Sequence, residues 1–189
     1  MKRSVVIIAL ALLLPLSAFA QRTVNGTSIV ELAGSVPIAD RGAGFSVLYG
    51  RYVLDGFWDA GLVADTFVKD FTAPDHSAEY DVVHLSGAYE RQWRIISTWN
   101  RVFNIYAGGG VFLGVELIDP FNKLDYRNTG DRVESSSASF LYGASGAVSA
   151  ELYILPYVSI SVTARPKVFG GSNYGRFSAP ASAGLRISF

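Results

Sequence analysis

Apolar and polar residues alternate with a period of two along most of this chain, and this pattern constrains the fold more than any other feature. In the stretch YVSISVTAR at 157–165, Val158, Ile160 and Val162 alternate with serine and threonine. Successive side chains of a β-strand point to opposite faces, so this period predicts strands rather than helices. Such segments recur about eight times. They lie near 27–34, 43–54, 57–68, 78–93, 102–116, 136–153, 157–168 and 177–189.

Half of the residues are hydrophobic, yet no apolar stretch after residue 20 is long enough for a membrane-spanning helix. Two all-β architectures reconcile these facts. One is a soluble β-sandwich, which buries its apolar faces in a core. The other is a membrane β-barrel, which turns its apolar faces toward lipid and fills its interior with polar side chains.

The first twenty residues have the pattern of a secretory signal peptide. A basic start is followed by an apolar run at 5–14 and by small residues that end at Ala20. Cleavage there removes Lys2 and Arg3, so the formal charge changes from 0 to −2, with 14 basic against 16 acidic residues. This balance offers no cationic surface to a phosphate backbone, and we expect no direct nucleic-acid binding.

Three features favour the membrane barrel. The first is the signal peptide. The second is a set of aromatic residues at one group of strand ends, as in an interfacial girdle. They are Trp58, Tyr89, Trp93, Phe103 and Tyr157. The third is the terminal Phe189 with Leu185 and Ile187 at alternate positions before it, which resembles the signal read by the bacterial barrel-insertion machinery.

We therefore predict a signal peptide at 1–20 and, at 21–189, an eight-stranded antiparallel up-and-down β-barrel in the outer membrane of a Gram-negative cell. Tight links at 55–56 and 155–156 and a medium link at 94–101 would lie on the periplasmic side. Longer loops would lie outside. They are predicted at 35–42, 69–77, 117–135 and 169–176.

Charged residues of both signs fall on the predicted inner face. An eight-stranded barrel is about filled by side chains, so we expect these residues to pair with one another rather than to line a channel. The set comprises Glu31, Asp59, Asp65, His84, Glu90, Glu116, Glu151, Arg165 and Arg186. Glycines at 108, 110, 114 and 143 would leave room for bulky neighbours or permit strand coiling.

No residue pattern makes a strong case for catalysis. His84 and Ser86, with Glu90 on the same face, are similar to the His-x-Ser pair of outer-membrane lipid A deacylases and provide an enzymatic alternative. His76 lies among acidic residues, but a solvated loop explains it better than a metal site does. The chain has no cysteine, which excludes thiolate chemistry. We expect a non-enzymatic protein without cofactor or metal.

The second half of the chain resembles the conjugative transposon TraO family of Bacteroidota. The similarity is best at 140–189, with Phe169 as a mild departure where tryptophan would be expected. It rests on Tyr142-Gly143-Ala144, Glu151-Leu152-Tyr153, Ala164-Arg165, Phe169-Gly170 and the closing run at 184–189, together with the run at 105–110 and the Gln21-Arg22 start.

The resemblance implies a structural outer-membrane component of a conjugative, type IV secretion-like DNA-transfer apparatus. It implies other conjugation proteins of the envelope as partners, besides outer-membrane lipid and the insertion machinery, and it supplies no catalytic residues. The alternatives are a small barrel with a general envelope or adhesion role, and a lipid A-modifying enzyme that uses His84 and Ser86.

Overall fold

The computed structural model describes residues 25–38, 41–73, 76–98, 101–118, 120, 138–172 and 175–189. The predicted signal peptide at 1–20 and most of the predicted loop at 117–135 lie outside these ranges. Within them, no helix is long and apolar enough to span a membrane.

The described residues form strands joined in one antiparallel sheet. The strands are β1 (Ser28–Pro37), β2 (Arg41–Val53), β3 (Gly56–Ala73), β4 (His76–Ser97), β5 (Phe103–Ile118), β6 (Ala138–Leu155), β7 (Val158–Ala164), β8 (Lys167–Gly170), β9 (Phe177–Ser178) and β10 (Pro180–Ser188). β1 pairs with β10 and β5 pairs with β6, so the sheet closes on itself. The predicted closed antiparallel barrel is confirmed.

The seventh and eighth strands of the barrel are each interrupted, which the alternation did not predict. β7 and β8 both pair with β6, on either side of Pro166. Proline has no N–H to donate to a neighbouring strand. Its carbonyl still accepts a hydrogen bond of 2.8 Å from the Gly146 amide, which keeps the two segments aligned. β9 and β10 likewise form one barrel strand, so ten segments make eight barrel strands.

Two predicted long loops are wrong. The segment 35–42 is mostly strand, because β1 extends to Pro37 and β2 starts at Arg41. The segment 69–77 is also mostly strand, since β3 and β4 remain paired as far as Ala73 and His76. Backbone pairing continues there although apolar and polar residues no longer alternate in the sequence at 69–77. Loop lengths therefore differ less between the two ends than we expected.

The two ends of the barrel differ in what they carry. The terminal end carries Ser28, Phe189 and the links at 54–55 and 156–157, and the long-loop end carries the connection from β5 to β6. Inside the terminal end, buried apolar and aromatic side chains form one cluster, consisting of Ile29, Tyr52, Phe57 and Tyr106. A second cluster of Phe112, Leu141 and Phe169 lies toward the long-loop end. Polar and charged side chains fill the interior between them.

Candidate functional site

The strand pleat places all nine charged residues of the predicted network on the inner face of the barrel. None is more than 7% exposed, and three of them, Glu116, Glu151 and Arg186, are fully buried. Their neighbours along each strand point outward, as the exposed Leu32, Leu85 and Leu185 do. The interior that they share is the candidate functional site of this protein.

Arg186 is the centre of the cluster nearest the terminal end. Its Nε donates to Glu31 Oε2 at 2.9 Å, and its Nη1 donates to Glu151 Oε1 at 3.1 Å. The guanidinium also lies 4.3 Å from the centre of the Phe57 ring. The Tyr52 and Tyr106 hydroxyls donate to the two oxygens of Glu151, at 2.6 and 2.9 Å. A buried cation whose partners are themselves hydrogen-bonded is the arrangement that offsets part of the cost of desolvation.

Arg165 forms the middle of the network. Its Nε donates to Glu90 Oε2 at 3.1 Å, and its Nη2 lies 3.6 Å from Glu31 Oε1. Glu90 also accepts hydrogen bonds from Gln92 and Ser145. The Arg165 and Arg186 clusters are thus joined through the one carboxylate that contacts both guanidiniums, Glu31.

Asp59 differs from the other acidic residues of the interior. It is the direct register partner of Glu90, and it is 2% exposed. Among the described residues, neither of its carboxylate oxygens has a hydrogen-bond partner. The other carboxylates named in the network each accept at least one hydrogen bond or ion pair, so the pairing we expected leaves out this group.

A third cluster lies toward the long-loop end. Lys167 Nζ donates to Asp65 Oδ2 at 2.7 Å, and Ser35 donates to the other oxygen of that carboxylate at 3.1 Å. His84 Nε2 lies 3.0 Å from Glu116 Oε2, and Glu116 also accepts hydrogen bonds from Ser139 and Ser172. Ser172 belongs to the connection after β8, so this bond ties that connection to the barrel interior.

His84 and Ser86 are not arranged as the base and nucleophile that the enzymatic alternative requires. The ring lies between Phe67 and Phe169, with centroids at 5.0 and 5.1 Å, inside the barrel. Its Nε2 pairs with Glu116 rather than with Ser86, and its Nδ1 has no partner among the described residues. Ser86 is buried, and within the described residues it forms no hydrogen bond with the His84 imidazole. A base aligned with a nucleophile is therefore not formed here.

Several buried side chains of the barrel interior were not predicted from the sequence. Lys167 pairs with Asp65 and continues the inward alternation of Arg165, so the same period could have identified it. Gln92 and Asn104 are fully buried and also lie at inward positions. The tyrosines at 52, 106 and 153 were not predicted as part of the network, because a tyrosine on an alternating strand fits either face.

The predicted girdle residues and the terminal signal lie on the outer wall. Tyr89, Trp93 and Tyr157 are each about half exposed, and Trp58 stacks on Tyr89 with centroids 6.4 Å apart. All lie toward the terminal end. The three residues of the predicted insertion signal, Leu185, Ile187 and Phe189, also point outward and are 51%, 48% and 68% exposed. Phe189 is tied to β1 by two backbone hydrogen bonds with Ser28.

The interior is filled rather than open. Arg186, Glu151 and Gln92, on three different strands, are each fully inaccessible to solvent. Within the described ranges, no group of three or more histidine, aspartate or glutamate side chains is arranged to hold a metal ion. What this arrangement does chemically is to satisfy buried charges with one another, which joins opposite walls of the barrel.

This combination of a closed eight-stranded barrel, a polar interior and an apolar outer wall is the fold of the small outer-membrane β-barrels. Neisserial surface protein A is similar, with a TM-score of 0.53 and 15% identity over 86% of this chain and 95% of that protein. The attachment invasion locus protein Ail of Yersinia pestis is also similar, with a TM-score of 0.51 and 12% identity over 88% of this chain and all of Ail. At these identities the likeness concerns the fold.

Sequence similarity to a family model identifies the protein family. A family model described as conjugative transposon protein TraO matches residues 71–189, and the chain belongs to this family. The match covers β4 to β10, including the closing strand, and it confirms the resemblance seen in the sequence. A sequence search of curated proteins found no match.

Proposed function

We propose that this protein is a structural, non-enzymatic component of a conjugative DNA-transfer apparatus, residing in the outer membrane. Its membership in the TraO family carries the proposal. The fold supports the location, because a closed barrel leaves no unpaired sheet edge in hydrocarbon and its outer wall carries exposed apolar residues such as Leu62, Val111 and Val162. Residues 1–20 act as the export signal, and the strand that ends at Phe189 presents the insertion signal.

The filled interior favours a scaffolding role over a conduit. A strand of DNA would have to displace the Arg165–Glu90 and Lys167–Asp65 ion pairs, which cross the barrel interior, and the Arg186–Glu31 pair at the seam. Breaking a buried pair costs about 3–5 kcal/mol. The partners are therefore other envelope proteins of the apparatus, outer-membrane lipid and the insertion machinery, reached through the outer wall and the loops, with no direct contact to nucleic acid.

A clean deletion in a donor cell that carries the transferable element tests this function. We expect the frequency of DNA transfer to fall and to be restored by the wild-type gene supplied in trans. The protein should float with outer membranes on a density gradient. Normal transfer by the deletion strain would refute the role in conjugation, and separation from outer membranes would refute the location.

The same strains address the enzymatic alternative. A non-enzymatic role predicts that the mass spectrum of lipid A is the same in the wild type, in the deletion strain and in a strain that carries His84→Ala. A lipid A species that depends on His84 would overturn the non-enzymatic proposal.

A further inference from the structure

A row of two arginines and a tryptophan crosses the outer wall near the terminal end. Arg51 on β2 is the register partner of Trp58 on β3, and Trp58 is the register partner of Arg91 on β4. The next residues along the strands, Tyr52 and Gln92, are buried in the interior, so both arginines point outward. Two strand spacings separate their backbones by about 10 Å, which allows two arginine side chains to reach one anion.

Neither arginine is neutralised within the part of the chain that the structure describes. Arg51 Nε donates to the Gly26 carbonyl at 2.7 Å, but its guanidinium forms no ion pair there. Arg91 forms none either, and its Nη1 is buried without a hydrogen-bond partner. Gly109 lies opposite Arg91 on β5 and offers no side chain to pair with it. A guanidinium on a lipid-facing wall needs an anion, and a phosphate fits its paired N–H groups.

The surroundings place this row at the level of lipid headgroups. Tyr49 packs edge-on against Trp58 at 6.2 Å, and Tyr89 stacks on its other side at 6.4 Å. Arg91 lies over the Trp93 ring at 5.5 Å. Clusters of tyrosine and tryptophan on an outer wall mark the boundary between hydrocarbon and headgroups.

The same strands carry an apolar groove farther from the terminal end. Its volume is about 530 Å³, and its floor includes Ala64 and Gly87, where a larger side chain would fill the space. The near edge of the groove is formed by Val47, Leu62 and Leu113. Each of them lies four residues along its strand from Arg51, Trp58 or Gly109, respectively. Four residues of a strand span about 13 Å. The large side chains that line it are Phe45, Val47, Leu62, Leu85, Leu113 and Val115.

We propose that this wall is a glycerophospholipid-binding site. Arg51 and Arg91 bind the phosphate group, the tyrosines and tryptophans pack around the glycerol region, and one acyl chain runs along the wall into the groove. The lipid belongs to the leaflet that surrounds the terminal end. This inference rests on the proposed membrane location.

Native mass spectrometry of the protein extracted from the cell envelope in mild detergent tests the site. We expect the wild type to retain phospholipid, and Arg51→Gln with Arg91→Gln to lower the lipid-bound fraction about tenfold. Gly87→Leu should lower it as well, because a Cβ at Gly87 meets no atom closer than 3.9 Å and the side chain would occupy the groove. Gly34→Leu is the matched control, since Gly34 points outward on β1 with similarly open space. Arg176→Gln is the control for loss of charge.

The outcomes test the lipid-binding site independently of the proposed role in DNA transfer. Retention of phospholipid that falls in the site variants and not in the controls supports the inference. Equal retention in all variants, equal binding of diacylglycerol, or displacement of the lipid by millimolar inorganic phosphate would overturn it. So would a change of oligomeric state in Gly87→Leu, which would assign the groove to a protein partner. If the protein is absent from the envelope, the proposed location fails first.

Discussion

Glu31 and Arg186 are register partners on the first and last strands of the barrel, and their side chains form an ion pair inside it. Arg186 Nε lies 2.9 Å from Glu31 Oε2, although 155 residues separate the two in sequence. The same guanidinium reaches Glu151 on β6. One side chain therefore links three strands across the seam where the barrel closes.

Replacement of Arg186 should destabilise the barrel strongly. Arg186→Met keeps much of the side-chain volume but leaves Glu31 and Glu151 without their cation, and we expect a loss of about 3–5 kcal/mol in the free energy of unfolding. Urea unfolding in detergent micelles, followed by tryptophan fluorescence, measures it. Arg176→Met, at an exposed position, should change the free energy by no more than about 0.5 kcal/mol. An unchanged midpoint for Arg186→Met would show that the ion pair does not contribute.

Asp65 and Lys167 should be energetically coupled. They pair at 2.7 Å in the buried interior, across 102 residues of sequence. A double-mutant cycle of Asp65→Asn and Lys167→Met should give a coupling free energy of about 0.5–3 kcal/mol in the same unfolding measurement. The pair Asp65→Asn and Arg186→Met serves as the comparison, since these residues form no contact. Additivity in the Asp65 and Lys167 cycle would contradict the structure.

Two glycines on one strand pair should respond differently to alanine. A Cβ at Gly110 would lie 2.8 Å from the Glu90 Cα and against the Tyr89 carbonyl, whereas a Cβ at Gly87 has open space. Gly110→Ala should therefore lower the free energy of unfolding by about 1–3 kcal/mol. Gly87→Ala should leave it unchanged. The unfolding midpoints of the two variants test this. Equal midpoints would mean that β4 and β5 do not approach each other as closely as described.

The terminal phenylalanine should matter for membrane insertion. Phe189→Ser removes the last residue of the proposed insertion signal, and we expect less folded protein in the outer membrane and more in the periplasm. Phe177→Ser is the matched control, because Phe177 is 63% exposed on the same barrel strand but toward its other end. Fractionation followed by immunoblotting measures both. If the two variants reach the membrane equally, Phe189 carries no such signal.

The alternation of residues was sufficient to predict the strands and the face that each charged residue shares, and the aromatic girdle, the terminal Phe189 and the pattern at 1–20 were needed to prefer a barrel to a sandwich. The direction of a side chain on a strand follows from the local pleat, and Arg165 and Glu151 therefore point inward whatever their neighbours are. The same period also applies to Lys167, which the sequence analysis omitted.

Only the tertiary structure decided which charges meet. Arg165 could have paired with any inward carboxylate, and it contacts Glu90 because the successive registers from β4 to β7 bring the two to the same level. Asp59, opposite Glu90 on β3, is left without a hydrogen-bond partner among the described residues. The ends of β3 and β4 were also settled by backbone pairing. Side-chain direction is a property of a few consecutive residues, whereas partners and strand ends depend on how the whole sheet closes, which no local pattern records.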